Sequence, residues 1–242
     1  MKKEILMINI KRLFFITIFF SWFFMPKSLM AQKINQFDNN NKRTGVWKKY
    51  YPNKRIRYVG EFENGKEIGV FKFYDVTTSD YPVIVKTYFE ESDSIFVQFF
   101  SVKGKIQSEG IMNERKREGK WQYYFENGEV LSEEHYVNGK LNGESITYYP
   151  DGKIAEFSTY ENGLKSGVNS KYSNAGILIE EVTFEHGSEN GLAKYFDLEG
   201  NLKEKGTYND GKRIGNWDYY IDGEVASDKD KKEARSKYKR EN

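Results

Sequence analysis

Two histidines, His135 and His186, and two adjacent acid pairs, Glu133-Glu134 and Glu180-Glu181, are the residues of this chain best suited to metal or acid–base chemistry. There is no cysteine, so a zinc site would have to be completed by carboxylates, and no known ligand spacing joins the two histidines. Neighbouring residues of an extended strand point to opposite faces, which keeps each glutamate pair from converging as general acid and base. No Ser-His-Asp order, phosphate-binding loop or dinucleotide fingerprint occurs. The expectation is a non-enzymatic chain with no catalytic residues, no metal site and no cofactor. His135 is then a strand residue beside Tyr136, and His186 stands in a turn.

The chemistry left is contact, and its pattern is periodic. Gly45, Gly69, Gly119, Gly143, Gly167, Gly191 and Gly215 open units of about 24 residues, with Ser94 in the place of one glycine. Such a period indicates a modular array. With the opening residue as zero, position five is aromatic throughout: Tyr50, Tyr74, Phe99, Tyr124, Tyr148, Tyr172, Phe196 and Tyr220. A turn follows, for example Glu126-Asn127-Gly128 or Pro150-Asp151-Gly152, where glycine takes positive φ cheaply. The next segment carries an aliphatic at eleven (Ile56, Val130, Ile154, Leu178, Leu202) and an aromatic at seventeen (Phe62, Tyr136, Tyr160, Phe184, Tyr208). Six residues is an even spacing, so both emerge on one face of a strand. Positions eleven and seventeen are therefore expected core, and the aromatic at position five is expected there too.

Five second segments end in Asn-Gly or a relative of it, at 64–65, 138–139, 162–163, 186–187 and 210–211. That pair closes two-residue hairpins because both central residues need positive φ. The chain is thus expected to be all-β, an elongated antiparallel meander of about eight hairpin repeats. Eight first strands and about seven second strands, spaced about 4.8 Å apart, would extend to roughly 70 Å. The unit around 75–93 breaks the rule with a longer turn and Glu90-Glu91-Ser92-Asp93 in place of the Asn-Gly corner, so a protrusion is expected there.

Position two holds Trp47, Phe71, Phe96, Trp121 and Trp217, interrupted by Ser145, Asn169 and Ala193. Two and five differ by an odd number and fall on opposite faces of a regular strand. If five is core, these aromatics form a candidate partner-binding stripe for protein or glycan. The competing reading makes them packing on the opposite wall of the curl.

Residues 1–31 stand apart. Basic residues precede an apolar run, Leu13 to Pro26, which is too short to cross a bilayer but suits a secretory signal cleaved after Ala31. Export to the periplasm, cell surface or exterior follows as an expectation, with membrane contact only through an uncleaved leader. A polar spacer covers 32–41, the array 42–226, and a charged tail, solvated helix or disordered, 227–242. The formal charge of +2 resides at the two ends, and the repeats between are mildly acidic. That sign speaks against nucleic acid as partner.

Lys140-Leu141-Asn142-Gly143, followed by Tyr148-Tyr149-Pro150-Asp151-Gly152 and Tyr160-Glu161-Asn162-Gly163, resembles the variant MORN repeat of bacteria. Lys116-Arg117-Glu118-Gly119-Lys120-Trp121 and Lys212-Arg213-Ile214-Gly215-Asn216-Trp217 do the same. The resemblance covers about residues 42–224 and implies an antiparallel meander with a grooved, aromatic-lined face. Chains of this type are often labelled antitoxin components of toxin–antitoxin systems, and some have been linked to lipids. Neither role follows from the repeat alone. The expected function is a protein-binding or scaffold surface in the cell envelope, with an antitoxin-like protein and a glycan-binding module as alternatives. Free sheet edges also offer a route to homo-oligomers.

Overall fold

The computed structural model describes residues 33–221, 223–227 and 229–230. The expected leader, 1–31, and nearly all of the charged tail lie outside the described residues. The sheet is one layer, eighteen-stranded and antiparallel throughout. Its eight first strands run from Arg43–Tyr50 through Lys116–Tyr124 to Lys212–Ile221, one of them interrupted at Ser166. Seven second strands, from Ile56–Glu63 to Leu202–Asn209, alternate with them. Gln36–Phe37 and Glu224–Val225 add two-residue pairings at the two ends.

The two turn types arise from the residues expected to make them. At the short corners Asn64, Asn138, Asn162, His186 and Asp210 have φ of 48° to 53°, each followed by a glycine also at positive φ. This is the twist-matched pair that joins antiparallel strands. At the other edge, Phe125 N–H donates to Glu129 O, and Gly128, at φ 93°, donates back to Phe125 O. These turns stack on one another: Tyr149 Oη donates to Tyr172 O at 2.8 Å, and Lys153 Nζ to Asn174 O at 3.0 Å.

In five units the first strand also carries a bulge that decides where its side chains go, whereas the strand opened by Ser94 pairs with the one before it without a shift. Gly110 pairs with Trp121 and Ile111 with Glu118, so Gly119 and Lys120 are inserted opposite consecutive residues of the neighbouring strand. Gly119 sits at φ 63°, which a glycine adopts without penalty. The insertion is two residues long, so the alternation of faces survives it. The core is a seam running across the strands on one face. It includes Phe71, Val97, Gly110, Trp121, Glu134, Ser145, Ser158, Asn169, Val182, Ala193 and Gly206 in neighbouring positions.

The seam corrects the expected core. Position two is the deepest place in the unit: Trp121 is 0 % and Phe71 1 % exposed, and Trp217 is buried as well. A one-layer sheet can hide an indole because the ring lies flat on a glycine of the adjacent strand. A Cβ placed on Gly110 would stand 2.5 Å from the Trp121 ring, and one on Gly206 2.1 Å from that of Trp217. Position seventeen shares this face, with Phe62, Tyr136 and Tyr208 buried and Tyr160 and Phe184 half-buried.

Position five lies on the other face. Tyr124 Oη donates to Glu109 there at 2.6 Å, and Lys205 lies 5.5 Å from the Tyr220 ring. Tyr50 is 48 % exposed, while Tyr74, Tyr124, Tyr148, Tyr172, Phe196 and Tyr220 are half-buried. In the irregular unit the count slips by one residue. Val97, not Phe96, fills the seam, and Phe100, not Phe99, pairs as a position-five residue. The longer corner before Ser94 shifts the frame that the other units take from their glycine.

Candidate functional site

Wherever position two is tryptophan, an arginine stands two residues before the unit glycine: Arg43 with Trp47, Arg117 with Trp121, Arg213 with Trp217. The bulge between them carries the guanidinium over the rings. Arg117 lies 4.8 Å from the Trp121 ring, and Arg213 lies 3.9 Å from that of Trp217. Arg43 lies 4.1 Å from the Phe62 ring and 5.7 Å from that of Trp47. Such contacts contribute about 0.5–2 kcal/mol each, more as the pair is desolvated.

Polar groups tie these clusters together. Arg117 Nη1 donates to Tyr136 Oη at 3.1 Å, and Tyr136 donates to Glu134 at 2.6 Å. Burial, with the Tyr136 hydroxyl and Glu134 carboxylate beside it, pushes the Tyr123 phenol well above its ordinary range. Trp121 Nε1 donates 2.8 Å to Ile111 O, a carbonyl beside the bulge. In the fifth and sixth units the seam turns polar. Burial works against ionisation of Glu156, but Lys165 at 2.7 Å and the Ser158 hydroxyl outweigh it and hold its pKa below the usual range.

On the seam face a second row runs beside the buried one, including Tyr58, Phe73, Phe99, Tyr123, Tyr195 and Tyr219. Their rings are half-buried, and among the described residues no second layer packs over them. This row is a partly exposed aromatic surface on the seam face, displaced by one place from the stripe expected at position two. Phe71, Trp121 and Trp217 are closed off in the seam, Trp47 is half-buried beneath Phe37, and Phe96 faces the opposite side. An even offset from position two to position four, together with the glycines Gly60, Gly110 and Gly206 across from the large rings, was the sequence signal for this arrangement.

The residues singled out for acid–base chemistry point apart. Glu133 meets Lys120 at 2.7 Å on one face, while Glu134 accepts from Tyr136 on the other. Glu180 pairs with Lys171 and Glu181 with Lys194, again on opposite faces. His135 Nδ1 lies 3.2 Å from Glu144 O, and His186 occupies its turn at φ 51°. Among the described residues no three His, Cys, Asp or Glu side chains gather as a metal site.

The second unit interrupts the pattern at both edges. Six short corners are two-residue turns, whereas the chain between Tyr88 and Ser94 is longer and opens a cavity of about 580 Å³. Ile68, Tyr88, Phe89 and Ile95 line it together with Glu67, Glu90, Glu91 and Asp93. Tyr88 donates to Glu67, and burial with that carboxylate raises the phenol pKa well beyond its ordinary value.

Comparison with known proteins gives three findings. No curated protein matches the chain. Among solved structures, a crystal structure of a mutant of S. aureus TarM in complex with Fondaparinux, alpha-GlcNAc-glycerol and UDP aligns over 53 % of this chain and 20 % of that one. Its 12 % identity and TM-score of 0.24 are too low to bear on fold or function. Residues 112–166 match the family described as Histone H3 K4-specific methyltransferase SET7 N-terminal. Residues 43–64 and 189–210 match the MORN repeat variant, and each match opens two residues before a unit glycine and closes in a short corner, so the sheet's hairpin unit and the family's repeat coincide.

Proposed function

We propose that this chain is an exported, non-enzymatic repeat protein whose seam face binds a protein partner in the cell envelope. The observation that carries the reading is the half-buried aromatic row on an unlayered sheet, set beside Arg117 and Arg213. Tyrosine, tryptophan and arginine are the side chains that dominate protein interfaces, because they bring large contact area at low entropic cost. The row is preformed by strand pairing, so binding would order little backbone. The paired glutamates, each engaged on its own face, support the absence of catalysis. The glycan alternative needs open indoles as sugar platforms; Trp121 and Trp217 are buried, and Trp47 is half-buried.

The test is affinity capture from envelope extracts with residues 32–242, beside a Tyr123→Ser/Tyr195→Ser variant whose fold is checked by circular dichroism. The expected result is a protein retained by the parent and lost from the variant. Equal retention by both would move the interface off this face, and no retained protein would end the reading. Sequencing of the secreted chain from its N-terminus should begin at Gln32.

A further inference from the structure

We propose that the cavity at the second unit's lengthened corner receives an arginine side chain of the protein partner. This rests on the reading that the array binds protein, and it names one contact of that interface. The molecule carries its own template for the site. Three times an arginine precedes the unit glycine by two residues and lays its guanidinium over an aromatic cluster. In the second unit Gly69 and Phe71 keep their places, but the residue before them is Glu67. The aromatic cluster is still built: Phe71 meets Phe62 at 5.2 Å and Tyr88 at 5.6 Å, both edge to face. A carboxylate thus stands where the three tryptophan units place an arginine, at a corner that opens into a cavity.

The lining suits a guanidinium rather than an ammonium. Tyr88, Phe89 and Ile95 offer flat apolar surface, and Glu67, Glu90, Glu91 and Asp93 bring four carboxylates against the single Lys66. A planar fork can stack on a ring and hydrogen-bond two carboxylate oxygens at once, which a point charge on a flexible stem does not reproduce. The three arginines used in cis elsewhere show that this backbone accommodates the geometry.

The probe is acetyl-Gly-Leu-Arg-Leu-Gly-amide, titrated calorimetrically into residues 32–242, with the citrulline peptide as a control of the same shape and no charge. The arginine peptide should bind at least about tenfold more tightly than the citrulline peptide, the scale of a charge-assisted hydrogen bond. Glu67→Arg should supply the guanidinium from within, abolish peptide binding and raise the melting temperature. Glu67→Gln, which leaves the backbone and volume alone, should weaken binding without that rise. Equal affinity for the two peptides, or full binding by either variant, would overturn the proposal. If the arginine site fails while the parent chain still captures a protein through its aromatic row, the broader reading stands; if the parent captures none, that reading fails independently of the peptide.

Discussion

Gly110 and Gly206 hold the seam open for an indole, and the cost of filling that space can be measured. Gly110→Ala forces a methyl into the face of Trp121, and a buried ring pinned by Arg117 and Ile111 O has little room to yield. A loss of about 2–3 kcal/mol is expected in urea unfolding. The same substitution at Gly128, where nothing lies within 4 Å of the added atom, should cost only the strain of its positive φ, about 1 kcal/mol. The raised phenols set an alkaline limit. Tyr88, Tyr123 and Tyr124 stay protonated in the fold at pH values where an unfolded tyrosine ionises, near 10. Above that pH the unfolded state binds fewer protons, so stability present below it falls as pH rises. Tyr123→Phe should flatten this decline, read by denaturant midpoints from pH 8 to 11. The residue types of the core were legible in sequence, but their depth was not. Invariance of the aromatic at position five suggested burial there, whereas depth is set by the glycine opposite position two, a relation between strands that a single-strand count does not contain.

At the scale of the hairpin, sequence and structure agree closely, because a two-residue corner depends on local backbone conformation. Asn138 and Gly139 sit at φ 52° and 81°, and Gly139→Ala is expected to lose about 1 kcal/mol through the left-handed strain it imposes. His186 performs the same turn with a residue less suited to it, so His186→Asn should raise stability by a few tenths of a kcal/mol. Differential scanning calorimetry of the pair would show opposite signs. The irregular unit was legible as a departure but not in detail. With no opening glycine, its frame was counted from Ser94, one residue early, and so Phe96 and Phe99 were assigned the places that Val97 and Phe100 hold. The cavity at that corner depends on how a loop of five residues settles against Gly69 and Ile95, which no turn rule specifies.

The whole molecule is a sum of neighbours. Strands pair with those next to them in sequence, so stability accumulates unit by unit along the ribbon. Removing residues 144–167 joins Gly143 to Val168 in frame and should leave a folded chain with a smaller denaturant m-value. Removing only 144–155 fuses Gly143 to Glu156, puts a short corner at each end of one strand and throws the units on its two sides out of step, and should give a protein that unfolds without a cooperative transition. The seven second strands stand between eight first strands, and each end adds a short strand antiparallel to its neighbour. The two rims of the ribbon therefore run the same way. A copy stacked rim to rim by simple translation would meet its neighbour in parallel, breaking the ladder on which every other pairing relies. Continuous growth would demand two distinct two-fold junctions in alternation, so this long, open sheet resists polymerising into fibres by virtue of an odd number of full-length strands.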